Sequence, residues 1–460
     1  MTPSGVPGIP FVIFEREFSF LRVLAVGLLT RVCRCGYCYI VTGSVRDGFD
    51  EADPLPREKR NLLSIARMEG RMRMWVPVLR SMIAMIIIMC VIGPADADQE
   101  KRLENIFRTG KVRFIPEITI SEDSMAGKSF FSGVYDIAMD DRGNLYACDS
   151  GENNIKKFDA SGSFLGTIGR AGQGPGEFSY PMEVEFSKGR LFVRELMNRR
   201  VSILNDQGIF LKSVRIEMQD SWWAMKALPD GRLVVQRMKL DFQNMNAPQE
   251  AFIDLFSSEL EFIKTLYRHE IRTNTYITEP VHTNVPVPFA PDVYFDVTHD
   301  GRVVIGYSGE YEIEIHDPDK GMVATFSHQY TPVEVTAKDK ELHFQGMTTT
   351  VGSPSGGISR KKGAPDYIVK NTEFPRHKPP FMNIRVDGEG NIWVLPYGPA
   401  DNADGPEMDV FDKRGSFLGR VRIESGSSVP YRMIPLPSGF WTINFSKDEE
   451  CSLVKYRISG

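Results

Sequence analysis

Cysteine and histidine are scarce in this chain, with six of the first and seven of the second in 460 residues. Four of the cysteines, Cys33, Cys35, Cys38 and Cys90, fall in the first hundred positions. The remainder holds only Cys148 and Cys451, too few for a disulfide scaffold. Cys33, Cys35 and Cys38 have no fourth ligand at finger spacing, which argues against zinc. The histidines form no H-E-x-x-H and no repeated ligand spacing, G-x-S-x-G is missing, and the glycines at 172, 174 and 176 lack the Lys-Ser/Thr of a phosphate loop. No basic run or stripe is present, which excludes an electrostatic footprint for nucleic acid.

What is there begins with a leader pattern. Arg71, Arg73 and Arg80 precede an uninterrupted apolar run over 82–92, then Gly93-Pro94 and the A-x-A pattern Ala95-Asp96-Ala97. This is the order of a secretory signal peptide, here 68–97 with cleavage after Ala97. The run is far shorter than the roughly 20 residues that span a bilayer. Residues 1–67 are expected to be a spurious upstream extension, with translation starting at Met68, Met72 or Met74. Removing the 12 basic and 9 acidic residues of positions 1–97 from the 55 and 60 of the whole chain leaves 43 and 51. The mature chain, with a formal charge of −8, is therefore acidic, and is expected to be exported, periplasmic or extracellular, and monomeric.

The rest of the chain repeats one unit, clearest over 135–181. Four short apolar runs are separated by Asp141-Arg142-Gly143-Asn144 and Asp159-Ala160-Ser161-Gly162. Each run is too short for a helix, and Gly beside Asp or Asn closes tight hairpins, so the unit is a four-stranded meander. The first turn recurs at Gly189, Gly231, Gly301, Gly388-Glu389-Gly390 and Gly439, and the second at Gly208, Gly321, Gly415 and Gly460. The third copy, Phe256-Ser257-Ser258-Glu259-Leu260, has lost its Gly. The last meander ends one strand short, and residues 112–120 upstream have no partner of their own. The sequence therefore predicts an all-β, six-bladed β-propeller over 98–460, its ring closed by the N-terminal strand completing the last blade.

The pattern P-x-x-(apolar)-x-(apolar)-D-x-x-G-N-L-Y-x-x-D, continued by N-x-I-x-x-F-D-x-x-G-x-F-L-x-x-I-G and G-x-G-P-G-E-F, resembles the NHL-repeat six-bladed propellers of bacteria over roughly 111–460. The resemblance implies a fold, and function sits on the loops. Propeller lactonases hold calcium with Glu, Asn and Asp at the central channel, but no matching set aligns here.

Two crossings are long, 267–292 and 327–380. In a meander, crossings and second-to-third-strand loops share one face, so both insertions cover that face and mark it for binding. Within the second, Thr336 to Asp339 reads as a helix cap and 352–363 as a flexible Gly/Ser/basic stretch. The strand ends reaching this face carry Tyr135, Asp149, Glu183, Arg194, Glu195, Trp223, Arg237, Tyr307, Tyr397 and Arg432, with Glu152, Arg199, Trp222, Tyr294 and Tyr431 beside them. Rings give contact area and arginines give forked bonds to carboxylate, a composition suited to a peptide, glycan or partner protein. Each has a plainer reading as inter-blade packing or a turn lock. No cofactor is expected for a binding module. The alternative is a metal-assisted hydrolase or lyase of the lactonase or amidating-lyase type, with Asp149 and Glu195 as paired carboxylates for a divalent cation or acid/base work, and with His282 and His377 placed to join Glu183 or Glu195 as ligands. Cys148 and Cys451 fall on blades that the ring makes neighbours, which leaves a bridge between them open.

Overall fold

Short β-branched and aromatic runs between turn residues give strands throughout the computed structural model, which describes residues 105–121, 131–239, 249–278, 281–352, 358–398, 406–423, 432–445 and 451–460. Residues 1–97, with the expected leader, lie outside them. Strand β1 spans Lys111–Ile120. The first meander is β2 (Val134–Met139), β3 (Leu145–Asp149), β4 (Asn154–Phe158) and β5 (Phe164–Ile168). The second is β6 (Pro181–Ser187), β7 (Arg190–Glu195), β8 (Arg200–Asn205) and β9 (Phe210–Arg215). The third is β10 (Asp220–Ala227), β11 (Leu233–Lys239), β12 (Gln249–Phe256) and β13 (Phe262–Ile271).

A hairpin follows, β14 (Thr273–Thr278) and β15 (Val281–Pro286), and then the fourth meander, β16 (Val293–Val297), β17 (Val303–Tyr307), β18 (Glu312–Asp317) and β19 (Gly321–Ser327). The second insertion contains α1 (Ala337–Gly346), β20 (Thr348–Gly352), β21 (Ile358–Lys362) and α2 (Asp366–Asn371). The fifth meander is β22 (Phe381–Val386), β23 (Ile392–Pro396), β24 (Glu407–Phe411) and β25 (Phe417–Ile423), and the last run is β26 (Ile434–Leu436), β27 (Gly439–Phe445) and β28 (Cys451–Ser459).

Four of these meanders are separate four-stranded sheets in sequential order. The last two are not separate, which corrects the expectation of six independent four-stranded blades. They form one eight-stranded sheet, β22-β23-β24-β25-β1-β28-β27-β26. The reason is that β1 offers two edges. It runs antiparallel to β28, with Arg113 opposite Ser459 and Ile120 opposite Leu453, and its first residues, Lys111 and Val112, pair parallel with Arg422 and Ile423 of β25. An edge that could have stayed open at β25 is thereby covered.

First strands neighbour one another around an axis: β2 meets β6, β6 meets β10, β10 meets β16, β16 meets β22, and β26 meets β2. Apolar clusters lie between the sheets. Tyr146 and Ile155 of the first meander pack with Val184 and Leu191 of the second, and Phe192 and Val201 of the second pack with Met225 and Leu233 of the third. The series closes where Trp441 and Leu453 pack with Ile137 and Phe158.

Turn chemistry sets the register. Asp140 accepts the backbone N–H groups of Arg142 and Asn144 at 2.9 and 2.8 Å on one oxygen, while its other oxygen accepts Asn144 Nδ2 and the Tyr146 hydroxyl. Asp387 repeats this with Glu389, Asn391 and the indole N–H of Trp393. In the second turns the backbone needs φ > 0 three residues after Asp159, Asn205 and Asp412, and Gly162, Gly208 and Gly415 supply it. The third copy meets the same demand without glycine: Leu260 stands at φ 63° and is 6% exposed within the cluster between the second and third meanders.

The insertions differ in part from the sequence reading. Thr336 caps α1 reciprocally with Asp339, as a capping box. The stretch expected to be flexible instead contributes β21, paired with the Thr-rich β20. Strand β13 continues to Ile271 along β12, so the first insertion begins later than 267. Cys148 and Cys451 are unpaired thiols, the first buried, and burial pushes Cys451 up to about 12. Among the described residues no helix is long and apolar enough to cross a membrane.

At Leu260, left-handed strain of about 1 kcal/mol opposes burial worth about 2 kcal/mol or more. Replacing Leu260→Gly is therefore expected to lower stability by about 1–2 kcal/mol in denaturant unfolding, despite relieving the strain. A gain in stability would show that the backbone term dominates.

Candidate functional site

The first strand of each meander has no further strand on its axis side, so its backbone N–H groups need other acceptors. Carboxylates supply them. Asp136 on β2 accepts Ile137 N at 2.9 Å and Val184 N of β6 at 3.2 Å. Glu185 on β6 accepts Ala227 N of β10 at 3.1 Å. Asp296 on β16 accepts Val297 N and Val386 N of β22, both at 2.9 Å. Each of these side chains joins two neighbouring sheets.

Cations balance the acids. Arg432 lies 3.2 Å from Asp136 and 3.1 Å from Glu183, and Arg194 Nε donates to the other oxygen of Glu183 at 2.6 Å. Lys226 lies 3.2 Å from Glu185. Burial works against the Arg432 charge, but Asp136 and Glu183 outweigh it and hold its pKa above the ordinary value. Burial pushes Asp136 up against the pull of Arg432 and Lys226, and pushes Glu185 up to about 7. Three of the expected residues, Glu183, Arg194 and Arg432, thus meet in one buried network.

The others are spread around the ring. Asp149 and Glu195 end β3 and β7 in corresponding positions. Asp149 lies 3.3 Å from Lys156 and accepts Ser132 N at 3.1 Å, while Glu195 binds Arg200 and Ser202 on one oxygen and Asn198 and Ser179 N on the other. Both tie the incoming chain of their meander to the second strand. Arg237 bridges the fully buried Asp254 at 2.5 Å and Asp220 at 2.8 Å. Tyr135 shares a 3.0 Å hydrogen bond with the hydroxyl of Tyr180, and Trp222 packs its ring on Phe256.

Four first strands carry a bulge near their start, at Tyr135, Met182, Trp223 and Met382. A bulge re-aims a side chain, and that of Met382 lines the cavity described below. Tyr431 lies outside the described residues, as does the side chain of His282, and His377 forms an isolated backbone bridge with Glu334. Among the described residues no group of three or more His, Cys, Asp or Glu side chains is arranged to hold a metal ion. The axial carboxylates face arginine and lysine instead.

The two insertions meet around Phe289, whose ring lies 6.2 Å from Phe374 and 5.8 Å from Tyr397. Lys378 pins this packing through Asp339 at 2.6 Å and the carbonyl of Gly398 at 2.9 Å. His269 lies 3.4 Å from Asp292, with its ring 5.9 Å from that of Tyr307, and burial followed by Asp292 pushes Tyr397 up to about 12. Beside this packing opens a cavity of 790 Å³ that runs over the fifth meander, from Met382 on its first strand to Arg420 on its last. Pro379, Pro380 and Pro396 give it rigid apolar walls, and Tyr330, Tyr397 and Glu407 add polar edges. Tyr330 and Met382 are each about 40% exposed.

These features define an all-β propeller whose two long crossings pack against each other around Phe289. No protein-family model matches the sequence, and no curated protein matches it. Among solved structures it is similar to a member of the DUF4221 family from Bacteroides vulgatus, at 12% identity over 76% of this chain and 99% of that one, with a TM-score of 0.44. It is also similar to a catalytically inactive virginiamycin B lyase from Staphylococcus aureus with quinupristin, at 12% identity over 75% and 99% of the two chains and a TM-score of 0.34. A third is regucalcin, a calcium-binding protein from Agrobacterium tumefaciens, at 9% identity over 75% and 95% and a TM-score of 0.36.

The sequence reading missed Asp136, Glu185, Lys226 and Asp296. For Asp136 and Asp296 a signal existed, since an acid or amide precedes Ile or Val on four first strands, as Asp136-Ile137, Glu183-Val184, Asp296-Val297 and Asn383-Ile384, while Glu185 and Lys226 fall outside that pattern. It also missed Met382, Glu407 and Arg420 of the fifth meander, and Tyr330, which the folding of the second insertion brings beside them.

Removing the acceptor at Asp296 leaves the buried N–H of Val386 unpaired. Asp296→Ala is expected to cost about 1–3 kcal/mol of unfolding free energy and Asp296→Asn less, because one acceptor oxygen remains. Equal losses would show that the carboxylate does not act as the stitch. Glu185 gives a pH dependence. Its folded pKa, about 7, stands above the ordinary 4.5, so between these values the folded chain binds a proton that the unfolded chain does not. Its contribution therefore favours folding on the acid side and fades as pH rises through 7. The melting temperature of the parent chain relative to Glu185→Gln should rise from pH 7 to pH 5, and a flat or falling difference would refute the assignment.

Proposed function

We propose that this chain is an exported binding module that holds a peptide, glycan or partner protein on its insertion-covered face. In this reading the eight-stranded sheet counts as two blades joined through β1, six in all, in the manner of the NHL-type propellers. The observation that supports the function is the 790 Å³ cavity at that face, walled by proline, Tyr330, Tyr397 and Met382. Its size suits a drug-sized or short-peptide guest, and rigid aromatic and proline walls lose little entropy when a guest is ordered against them. The axis fits such a guest less well, because its carboxylates already hold backbone N–H groups and cations. Export rests on the leader pattern over 68–97.

The test is a fragment library screened by saturation-transfer NMR against the full chain and its Met382→Trp variant, in which the indole fills the cavity. Most hits are expected to disappear in the variant. A hit list unchanged by the substitution would end this reading of the face.

A further inference from the structure

We propose that Arg420 is the anchor of this cavity and that the guest is a carboxylic acid with an apolar body. The inference deepens the binding reading above and rests on it. Arg420 Nε and Nη2 donate to the two oxygens of Asp409 at 2.6 and 2.9 Å. Asp409 is fully buried on β24 and accepts the hydroxyl of Tyr311 from the neighbouring fourth meander at 2.8 Å. One edge of the guanidinium is thus fixed from behind by two buried side chains. Of the five N–H donors of an arginine, three remain, on a side chain that lines the cavity and is 46% exposed.

A planar fork held in advance loses little freedom on capturing a carboxylate, and Arg suits that partner better than Lys does. The charge count points the same way. Asp409 already balances Arg420, and Glu407 on the same wall is held at 2.6 Å by Arg422. A singly charged guest is therefore tolerated better than a doubly charged phosphate. Tyr397, whose hydroxyl keeps its proton at neutral pH, adds a donor to the wall. Tyr330 and Met382 leave apolar surface for the body of the guest.

Two sources could present this chemistry, a small organic acid or the C-terminus of a peptide. The experiment uses 4-phenylbutyrate and acetyl-Ala-Pro-Phe as free acids, each against its amide, titrated into the full chain by ligand-observed NMR. At least one acid is expected to bind roughly tenfold or more tighter than its amide. A preference with phenylbutyrate alone supports the organic acid, and with the peptide alone supports a C-terminus. Arg420→Lys keeps a charge for Asp409, and so the fold, while losing the second edge of the fork. It should melt close to the parent and bind acid no better than amide. Acid and amide binding equally to the parent, discrimination that survives Arg420→Lys, or no binding of any probe would overturn the proposal. If acid and amide bind equally and both are lost in Met382→Trp, the carboxylate anchor fails while the cavity reading stands.

Discussion

A propeller must solve one problem at its centre: the first strand of every sheet turns an unpaired backbone edge toward the axis, where neither strand nor helix covers it. Here Asp136, Glu185 and Asp296 cover it, each accepting an N–H from the next sheet. Short acceptors on the first strands do two things at once. They satisfy the edge, and they fix how far one sheet is rotated from the next. Apolar packing between sheets is non-directional and would tolerate small slips. A carboxylate bonded across the gap would not.

This solution has an electrostatic consequence. Several buried carboxylates near one axis repel one another and lose hydration, which is why burial raises Asp136 and Glu185. Arg432, Arg194 and Lys226 offset that repulsion, and Arg432 comes from just ahead of the last meander to reach Asp136 and Glu183 of the first two. Charges at the axis are therefore committed to holding the ring. The crossings are not needed for that, and the two longest of them pack against each other beside the fifth meander.

Much of the fold was legible because the turns are chemical as well as geometric. An Asp that accepts two N–H groups, two and four residues on, has few alternatives, and it recurs at Asp140, Asp159, Asp387 and Asp412. The carboxylates at Asp149 and Glu195 were legible as a pair, yet their partners, Lys156 for one and Arg200 for the other, are local and show work within the meander. The cavity was not legible. Tyr330 and Arg420 are ninety residues apart, and neither has a periodic counterpart in the other meanders. Their meeting depends on the path of an irregular insertion, for which hydrophobic period carries no information.

The eight-stranded sheet follows from the same economy of edges. A closing strand that satisfied only β28 would leave its other edge and that of β25 facing each other across a gap. The parallel pairing of Lys111 and Val112 with Arg422 and Ile423 closes that gap for two residues only, because adjacent sheets of a propeller diverge from the axis outward. Beneath it, Val112 and Ile423 are fully buried in a cluster with Phe107 and Trp393, whose rings meet edge to face at 5.1 Å. The closure is thus held by apolar packing below and a short ladder above. That leaves β25 firmly placed, and Arg420, which β25 carries, gains a rigid base on the cavity wall.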